Sequence, residues 1–573
     1  MSDFFRRLRE RKLVQWALAY AAAAFALIQV ADIVGQRFGW PDQVMRIIIV
    51  VAAIGLFVTL VVAWYHGERG AQRMSGTELM ILALLLTIGG AVAWKLGPTA
   101  PKSAESTATS APNGAAVLEK SIAVLPLANE SGNKDEQYFS DGLSEDLITA
   151  LSQFAGLKVI SRNSSFQFRD STDDARTIAA KLGVAHLLEG SVRRGGDAVR
   201  ISAELVNAAD ASTLWSQHYD RPYKDLFALQ DDITRAVADA LKAKLIGTAT
   251  QSDRPRSGNL AAYSAYQQGQ FDFFQHTGED AHKAVAHYTE AIRLDPGYAL
   301  AYAALALSQA QLITIFSTPD RREWADLVEH ARSAATTALS LQPELGKAHQ
   351  ARGFVLQVID FDLAGAQGEY RRAAELAPQD ATVQLNLGVV SASFGRLDEA
   401  AAYGQSSTTL DPLNSLNYIY LARSLIALGR YDEAEAAVHK AIEAHPRAAQ
   451  SYSELAVIEI LRGDAAAALR FARQETDGFW RSYAVALALF VDGDRAGADA
   501  ELDNLLSRYA DSGAFQIAQV YALRKQPDEM FLWLERGLAV RDPGVTTLRY
   551  AVFVKDYATD ARFAALCKKM GLP

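Results

Sequence analysis

Three carboxylates, Asp141, Glu145 and Asp146, crowd one stretch with helical periodicity, and Asp141 and Glu145 stand one turn apart. Paired carboxylates at that spacing are raw material for general acid–base work or for a divalent-cation site. Acids near a helix start are also what the positive end of the helix dipole attracts. Helix-start electrostatics is the expectation here, with an acidic enzyme site as the less favoured alternative. A second group is His276, His282 and His287 beside Asp272 and Asp280. Imidazole and carboxylate can hold zinc, but His282 and His287 are five positions apart and do not share a helix face. Solvated surface histidines are expected instead. No P-loop pattern, GxGxxG, HExxH or GxSxG occurs, and Gly346-Lys347 lacks both the upstream glycine and the hydroxyl residue of a phosphate loop. The one cysteine, Cys567, can build neither an intrachain disulfide nor a cysteine zinc site. No catalytic residue, no cofactor and no metal ligand is therefore expected.

The carboxylates sit in a region that reads as a small α/β domain over 120–247. Residues 121–127 (SIAVLPL) form an apolar, β-branched run, and a buried strand is predicted there. Residues 138–154 place Leu143, Leu147, Ile148 and Leu151 on one helical face. A second strand is predicted at 157–161 and a second helix at 175–182, closed by Gly183. The period then changes to two. Val199, Ile201, Ala203 and Leu205 alternate with polar neighbours after the turn signal Gly195-Gly196-Asp197. A third meander strand follows at 213–219, and helical periodicity returns at 226–245.

These residues carry a resemblance. The stretches SIAVLPLANESGNKDEQYFSDGLSEDLITALSQF, LGVAHLLEGSVRRGGDAVRISAELVNAADASTLWSQHYDR and DLFALQDDITRAVADAL resemble the TolB amino-terminal-like domain of bacterial tetratricopeptide-repeat proteins. Chains of that kind often carry a class III cyclase or a winged-helix DNA reader at the N-terminus. Here the first 95 residues read as membrane helices and leave no room for either. The stretch FFRRLRERKLVQWALAYAAAAFALIQVADIVGQRFGWPDQVMR resembles the anchor of members without the catalytic domain. The resemblance thus implies the accessory half of that architecture and carries over no cyclase activity.

Beyond 257 the pattern is repetitive. Pro378, Pro412 and Pro446 recur at steps of 34, as do Gly395, Gly429 and Gly463. A helical period of 34 is the tetratricopeptide signature. Small residues (Gly388, Ala400, Ala422, Ala434, Ala456, Ala468) fall where paired helices must cross closely. The step from Pro296 to Pro343 is 47, which places an insertion near 313–323. About eight units fit in 257–573, closed by a capping helix in the tail DARFAALCKKMGLP. Such arrays present a concave groove for a protein or peptide partner. Thr382, Asn386, Val389, Ile419 and Arg423 are the residues expected to line it. Asn386 and Arg423 have the chemistry to bind a peptide backbone or carboxylate.

Three apolar segments, 13–34, 46–65 and 78–95, have the length and composition of transmembrane helices. Arg6, Arg7, Arg9, Arg11 and Lys12 precede the first and hold the N-terminus in the cytoplasm. Three spans put the remainder in the periplasm of a bacterial inner membrane, and two, should the short third run not span, put it in the cytoplasm. Residues 96–119 are rich in Pro, Ser, Thr, Ala and Gly and read as a flexible tether. The whole is a multi-domain chain of 573 residues: membrane helices, α/β domain, all-α solenoid. Its net charge of −9 argues against nucleic acid as a partner, because phosphate binding needs a basic footprint. The function expected is a non-catalytic, membrane-anchored scaffold for a protein partner. The alternative is an accessory signalling component of the cyclase and transcription-regulator repeat families. Nothing in the sequence fixes an oligomeric state.

Overall fold

The computed structural model describes Gln29 and residues 119–245, 254–275, 277–314 and 321–572. The chain divides into two units, Met1–Pro112 and Asn113–Pro573, and the α/β domain and the helical array both belong to the second. The expected anchor (1–95) and all of the tether but Glu119 lie outside the described residues, Gln29 excepted. Among the described residues no helix is long and apolar enough to cross a membrane.

The α/β domain runs in the order β1 (Ser121–Val124), β2 (Ala128–Asn129), α1 (Gln137–Leu151), β3 (Phe154–Ala155), β4 (Lys158–Val159), α2 (Arg162–Ser165) and α3 (Ala175–Leu182). Then come β5 (His186–Gly195), β6 (Ala198–Asn207), β7 (Ser212–Pro222), α4 (Leu226–Ala240) and β8 (Lys244–Leu245). The main sheet has the order β4-β1-β5-β6-β7. Its first three strands are parallel and its last three form an antiparallel meander. One face is buried under α1 and α4, where Ile122, Val124, Ile201 and Leu205 meet Leu143, Leu147, Ile233 and Val237. On the other face α3 packs Ile178 and Leu182 against Ala123 and Leu187. Strand order reverses between β1 and β5, the place where an open parallel sheet usually receives a ligand. Here the chain itself spans that junction: β2 pairs with β5, and the Glu130 N–H donates to the Val192 carbonyl at 2.8 Å. The helix expected over 226–245 ends early. Lys242 takes a left-handed conformation (φ 49°) that breaks it, and β8 then pairs with β3.

Eight helical pairs follow. They are α5 (Leu260–Phe273) with α6 (Gly278–Leu294), α7 (Ala299–Thr314) with α8 (Arg321–Leu341), α9 (Gly346–Val355) with α10 (Leu363–Leu376), and α11 (Ala381–Ser393) with α12 (Leu397–Leu410). Next come α13 (Ser415–Ala427) with α14 (Tyr431–Ala444), α15 (Ser451–Arg462) with α16 (Ala465–Ala472), α17 (Gly478–Asp492) with α18 (Arg495–Arg508), and α19 (Ala514–Leu523) with α20 (Pro527–Val540). A last helix, α21 (Ala561–Lys569), buries Phe563, Leu566 and Cys567. Side-chain caps start many of these helices: Asn259, Thr277, Asp380, Asn414 and Asp477 each accept from a backbone N–H of the first turn. Gly395 and Gly429 turn the chain between paired helices at φ 79° and 76°, where a side chain would be strained.

The small residues do what the spacing requires. Ala422, Ala434, Ala456 and Ala468 are completely buried. A Cβ on Gly388 would stand 3.2 Å from the Ala400 carbonyl oxygen, and one on Gly404 3.1 Å from Leu421. The insertion falls between α7 and α8, and α8 is correspondingly long at 21 residues.

Candidate functional site

The first helices of successive pairs, α11, α13, α15, α17 and α19, pack on one another in a continuous layer. This layer is the inner surface of the array, and the five residues expected in the groove belong to its first two helices. Thr382 is exposed at the start of α11, with its N–H held by the Asp380 carboxylate at 2.9 Å. Asn386 follows one turn later, half-buried. Val389 is buried and lines a small cavity with Gly388, Tyr420 and Tyr550. Ile419 is 1% exposed and packs inside the layer with Leu455 and Ile458. Arg423 donates from Nε to Glu454 and from Nη2 to Gln450, both at 2.7 Å. Its guanidinium also lies 5.4 Å from the Tyr420 ring centre and 5.6 Å from that of Trp480. Burial alone would push this group's pKa down, but the Glu454 carboxylate outweighs it and holds the pKa above its ordinary value. The structure therefore joins Val389 and Arg423 to the open space of the layer and puts Ile419 in its packing.

A cavity of about 80 Å³ lies beside Arg423. Glu454, Trp480, Tyr483, Phe515 and Tyr550 line it. Sequence reasoning missed all five. Glu454 was within reach of the period, since it stands 34 positions after Tyr420. Tyr550 was not, because it lies outside any repeat.

The acidic trio has a different fate from the one expected. Helix α1 begins at Gln137 and carries no acid in its first turn. The dipole of α1 therefore does not account for these residues. Glu145 and Asp146 instead dock the α/β domain onto the array, and Asp141 pairs inside the domain. Asp141 accepts from Arg169 at 2.7 Å and from Gln137 at 2.8 Å. Glu145 pairs with Arg162 at 3.2 Å and accepts from Gln270 of α5 at 3.1 Å. Asp146 accepts from Gln230 of α4 at 2.5 Å and from the Tyr263 hydroxyl of α5. Arg162 is sandwiched between the Phe166 ring at 4.2 Å and the Phe274 ring at 3.7 Å. Burial lowers its pKa, against the pull of Glu145 and Asp141. Helix α1 approaches α5 so closely that a Cβ on Gly142 would overlap the Gln267 side chain at 1.3 Å.

Two turns between pairs complete the docking. Gln379, between α10 and α11, donates to the carbonyls of Ser152 and Leu157 at 3.1 and 2.7 Å and accepts from the Val159 N–H at 3.0 Å. Leu410 accepts from the Ser161 N–H at 2.9 Å, and the buried Asp411 accepts from the Ser164 hydroxyl at 2.5 Å. Glu145 and Asp146 thus belong to the polar seam of a domain interface, which Asp141 borders through Arg162.

The histidines part company. His276 lies outside the described residues. His287 meets Asp272 at 2.7 Å, whereas His282 bonds the Gly278 carbonyl of its own helix at 2.7 Å. Among the described residues no three His, Cys, Asp or Glu side chains are grouped to hold a metal ion.

Residues 362–415 and 421–481 match the tetratricopeptide repeat family. The helical array is a tetratricopeptide-repeat solenoid. Residues 118–236 match the family described as HilA/YgeH-like transcriptional regulator, second domain. A Rhizobium meliloti (strain 1021) protein provisionally named adenylate cyclase 3 is 34% identical over 260 residues, which is 45% of this chain and 40% of that protein. The chain thus spans well under half the length of that relative. Among solved structures, PilF of Pseudomonas aeruginosa is 20% identical, covering 39% of this chain and 97% of its own (TM-score 0.31). YrrB, titled a TPR protein with an unusual peptide-binding site, is 18% identical, covering 37% and 96% (TM-score 0.27).

Proposed function

We propose that this chain is a non-catalytic scaffold that holds a protein or peptide partner through its helical-repeat array. The reading is carried by the continuous layer of first helices, on which Thr382 is exposed, Asn386 is half-buried, and Val389 and Arg423 each line a small cavity. Repeat layers of this kind bind extended or helical segments by burying side-chain anchors and pairing polar groups along the inner surface. The α/β domain, which we read as TolB amino-terminal-like, is a second contact surface fixed to the first. Glu145 and Asp146 are already committed to that docking and Asp141 to Arg169 and Gln137, which weighs against an acidic enzyme site.

The apolar segments 13–34, 46–65 and 78–95 support anchoring in a bacterial inner membrane, with the array on the periplasmic side. The likeness to the cyclase-named protein and to the regulator domain supports a second reading, an accessory component of a signalling system. Compartment separates the two. A topology reporter fused at Ser110 reads periplasmic under the first and cytoplasmic under the second. For the scaffold itself, a photo-crosslinking residue in place of Thr382 in the full chain is expected to give one discrete adduct in the native cell. The same residue at exposed Asp432 on the outer helix α14 is the control. Equal or no adducts at both positions would refute a groove-bound partner.

A further inference from the structure

The layer from α11 to α19 is covered from within the chain. After α20 the backbone turns at Arg541 (φ 59°), and the residues from Asp542 to Tyr557 come back over the layer instead of extending it. They form only two short 3-10 turns, Pro543–Thr547 and Lys555–Tyr557, and carry no repeat period. Val545, Leu548 and Val554 are completely buried, and Tyr550 and Phe553 nearly so. Tyr550 packs on Ala392 and Ala400 and closes the cavity beside Val389 and Tyr420. Val552 packs against the cluster that holds Ile419. Polar contacts sit toward the two ends: Asp542 accepts from the Phe515 N–H at 2.9 Å, and the Tyr557 hydroxyl donates to the Ala522 carbonyl at 3.1 Å.

An irregular stretch laid across successive first helices, with an aromatic anchor and polar contacts near its ends, has the form of a peptide bound in a repeat groove. The helices beneath pack on one another and on their own partners, and Val545, Leu548, Ala551, Phe553 and Val554 join their core from above. A cavity of about 80 Å³, partly open to solvent, lies between the segment, Arg423 and Trp480.

We propose that the segment from Asp542 to Tyr557 is an in-chain occupant of the partner groove, anchored by Tyr550, and that a partner reaches the groove only when the segment leaves. The partner that fits is an extended segment bringing an aromatic ring to the Tyr550 position. This rests on the scaffold reading. A tethered occupant competes at an effective concentration on the order of millimolar, so it masks the groove from dilute partners.

The test uses the full chain in detergent, with one site-specific protease sequence inserted after Arg541 and one after Ala558. The probe is a labelled synthetic peptide of the Asp542–Tyr557 sequence. Cutting both sites is expected to leave the helical circular dichroism intact. It is also expected to tighten probe binding by about a hundredfold over the uncut protein, from the loss of the tethered competitor. A probe with Tyr550→Ala is expected to bind at least about tenfold more weakly, as loss of a buried aromatic anchor requires. Loss of helix on cutting would make the segment core and overturn the proposal. So would equal binding to cut and uncut protein, or no binding to either. Equal binding of the two probes would overturn the anchor role. Hydrogen exchange on the uncut chain gives a second reading: amides from Val545 to Val554 are expected to exchange faster than those of α13 and α15, and equal rates overturn release without unfolding. Repeating the Thr382 crosslinking on the chain cut at both sites tests the scaffold reading with the segment free to leave, so the scaffold reading and this proposal can fail separately.

Discussion

The array is covered in two places, and the two covers use different chemistry. Over α5 lies α1, held by carboxylates, amides and hydroxyls: Glu145 with Gln270, Asp146 with Tyr263, and Tyr138 with Ser264 at 3.1 Å. Over α11 to α19 lies the segment that follows α20, held by Leu548, Tyr550, Phe553 and Val554. At each cover a buried arginine stands among aromatic rings, Arg162 in the first and Arg423 beneath the second, and their pKa values move in opposite directions. Arg162 moves down, because its burial outweighs Glu145 and Asp141. Arg423 moves up, because Glu454 outweighs its burial. Both remain charged at any ordinary pH. The contrast is in how each cover fails. A polar seam is directional, and losing one member strands a buried charge. An apolar cover is held by area, and losing one member leaves a hole.

The largest effect is expected from Arg162→Ala. The side chain is 12% exposed and stands between Asp141 and Glu145. Its removal should cost about 4 kcal/mol, the usual range for orphaning a buried ion pair. Amide protection in α1 and α5 should then drop by about a thousandfold, while α15 and α17 keep theirs. If α15 and α17 lose protection equally, the two covers are not separate. Leu548→Ala should cost about 3 kcal/mol through the cavity it leaves. Its effect should appear first as faster amide exchange from Val545 to Val554 and spare α1. Asp146→Asn keeps an acceptor for Tyr263 and Gln230 but loses the charge, and about 1 kcal/mol is expected. Urea titrations read by exchange in α1 would show it. A loss as large as that of Arg162→Ala would mean that charge on Asp146 matters more than the bonds it accepts.

The sequence and the structure agree where a short-range rule decides. The period-two run from Val199 to Leu205 is β6, and Gly183 closes α3 at φ 63°. The 34-residue spacing of Pro and Gly marks the helical pairs because each repeat is one packing unit. The features that sequence reasoning missed are long-range. Glu145 and Asp146 look like helix-start acids to a local rule, and their partners Gln230, Tyr263 and Gln270 stand 84, 117 and 125 positions away. Arg423 reads as a free groove cation until Glu454 is seen beside it. Tyr550 carries no periodic mark at all, so its return over the layer is visible only in three dimensions.

The smallest effect is a pH dependence in the third pair, which borders both covers, the first through Gln379 and the second through the Arg541 bond to the Ile359 carbonyl. His349 on α9 meets the Glu369 carboxylate through Nδ1 at 2.6 Å and the Pro343 carbonyl through Nε2 at 2.7 Å. Burial works against its charge, and Arg372 adds to that, but Glu369 and the carbonyl prevail and raise its pKa. The folded protein therefore holds this proton more tightly than the unfolded chain does. The stabilisation is complete below the unfolded value of about 6.5 and is lost as pH rises through the higher folded value. The urea midpoint of the array is thus expected to fall slightly as pH rises from about 6.5. His349→Gln should flatten that slope and leave the peptide exchange at the segment from Asp542 to Tyr557 unchanged. If the slope survives in His349→Gln, the proton belongs to another group. If the variant also changes peptide exchange, the third pair is coupled to the apolar cover, and the two regions have to be treated as one.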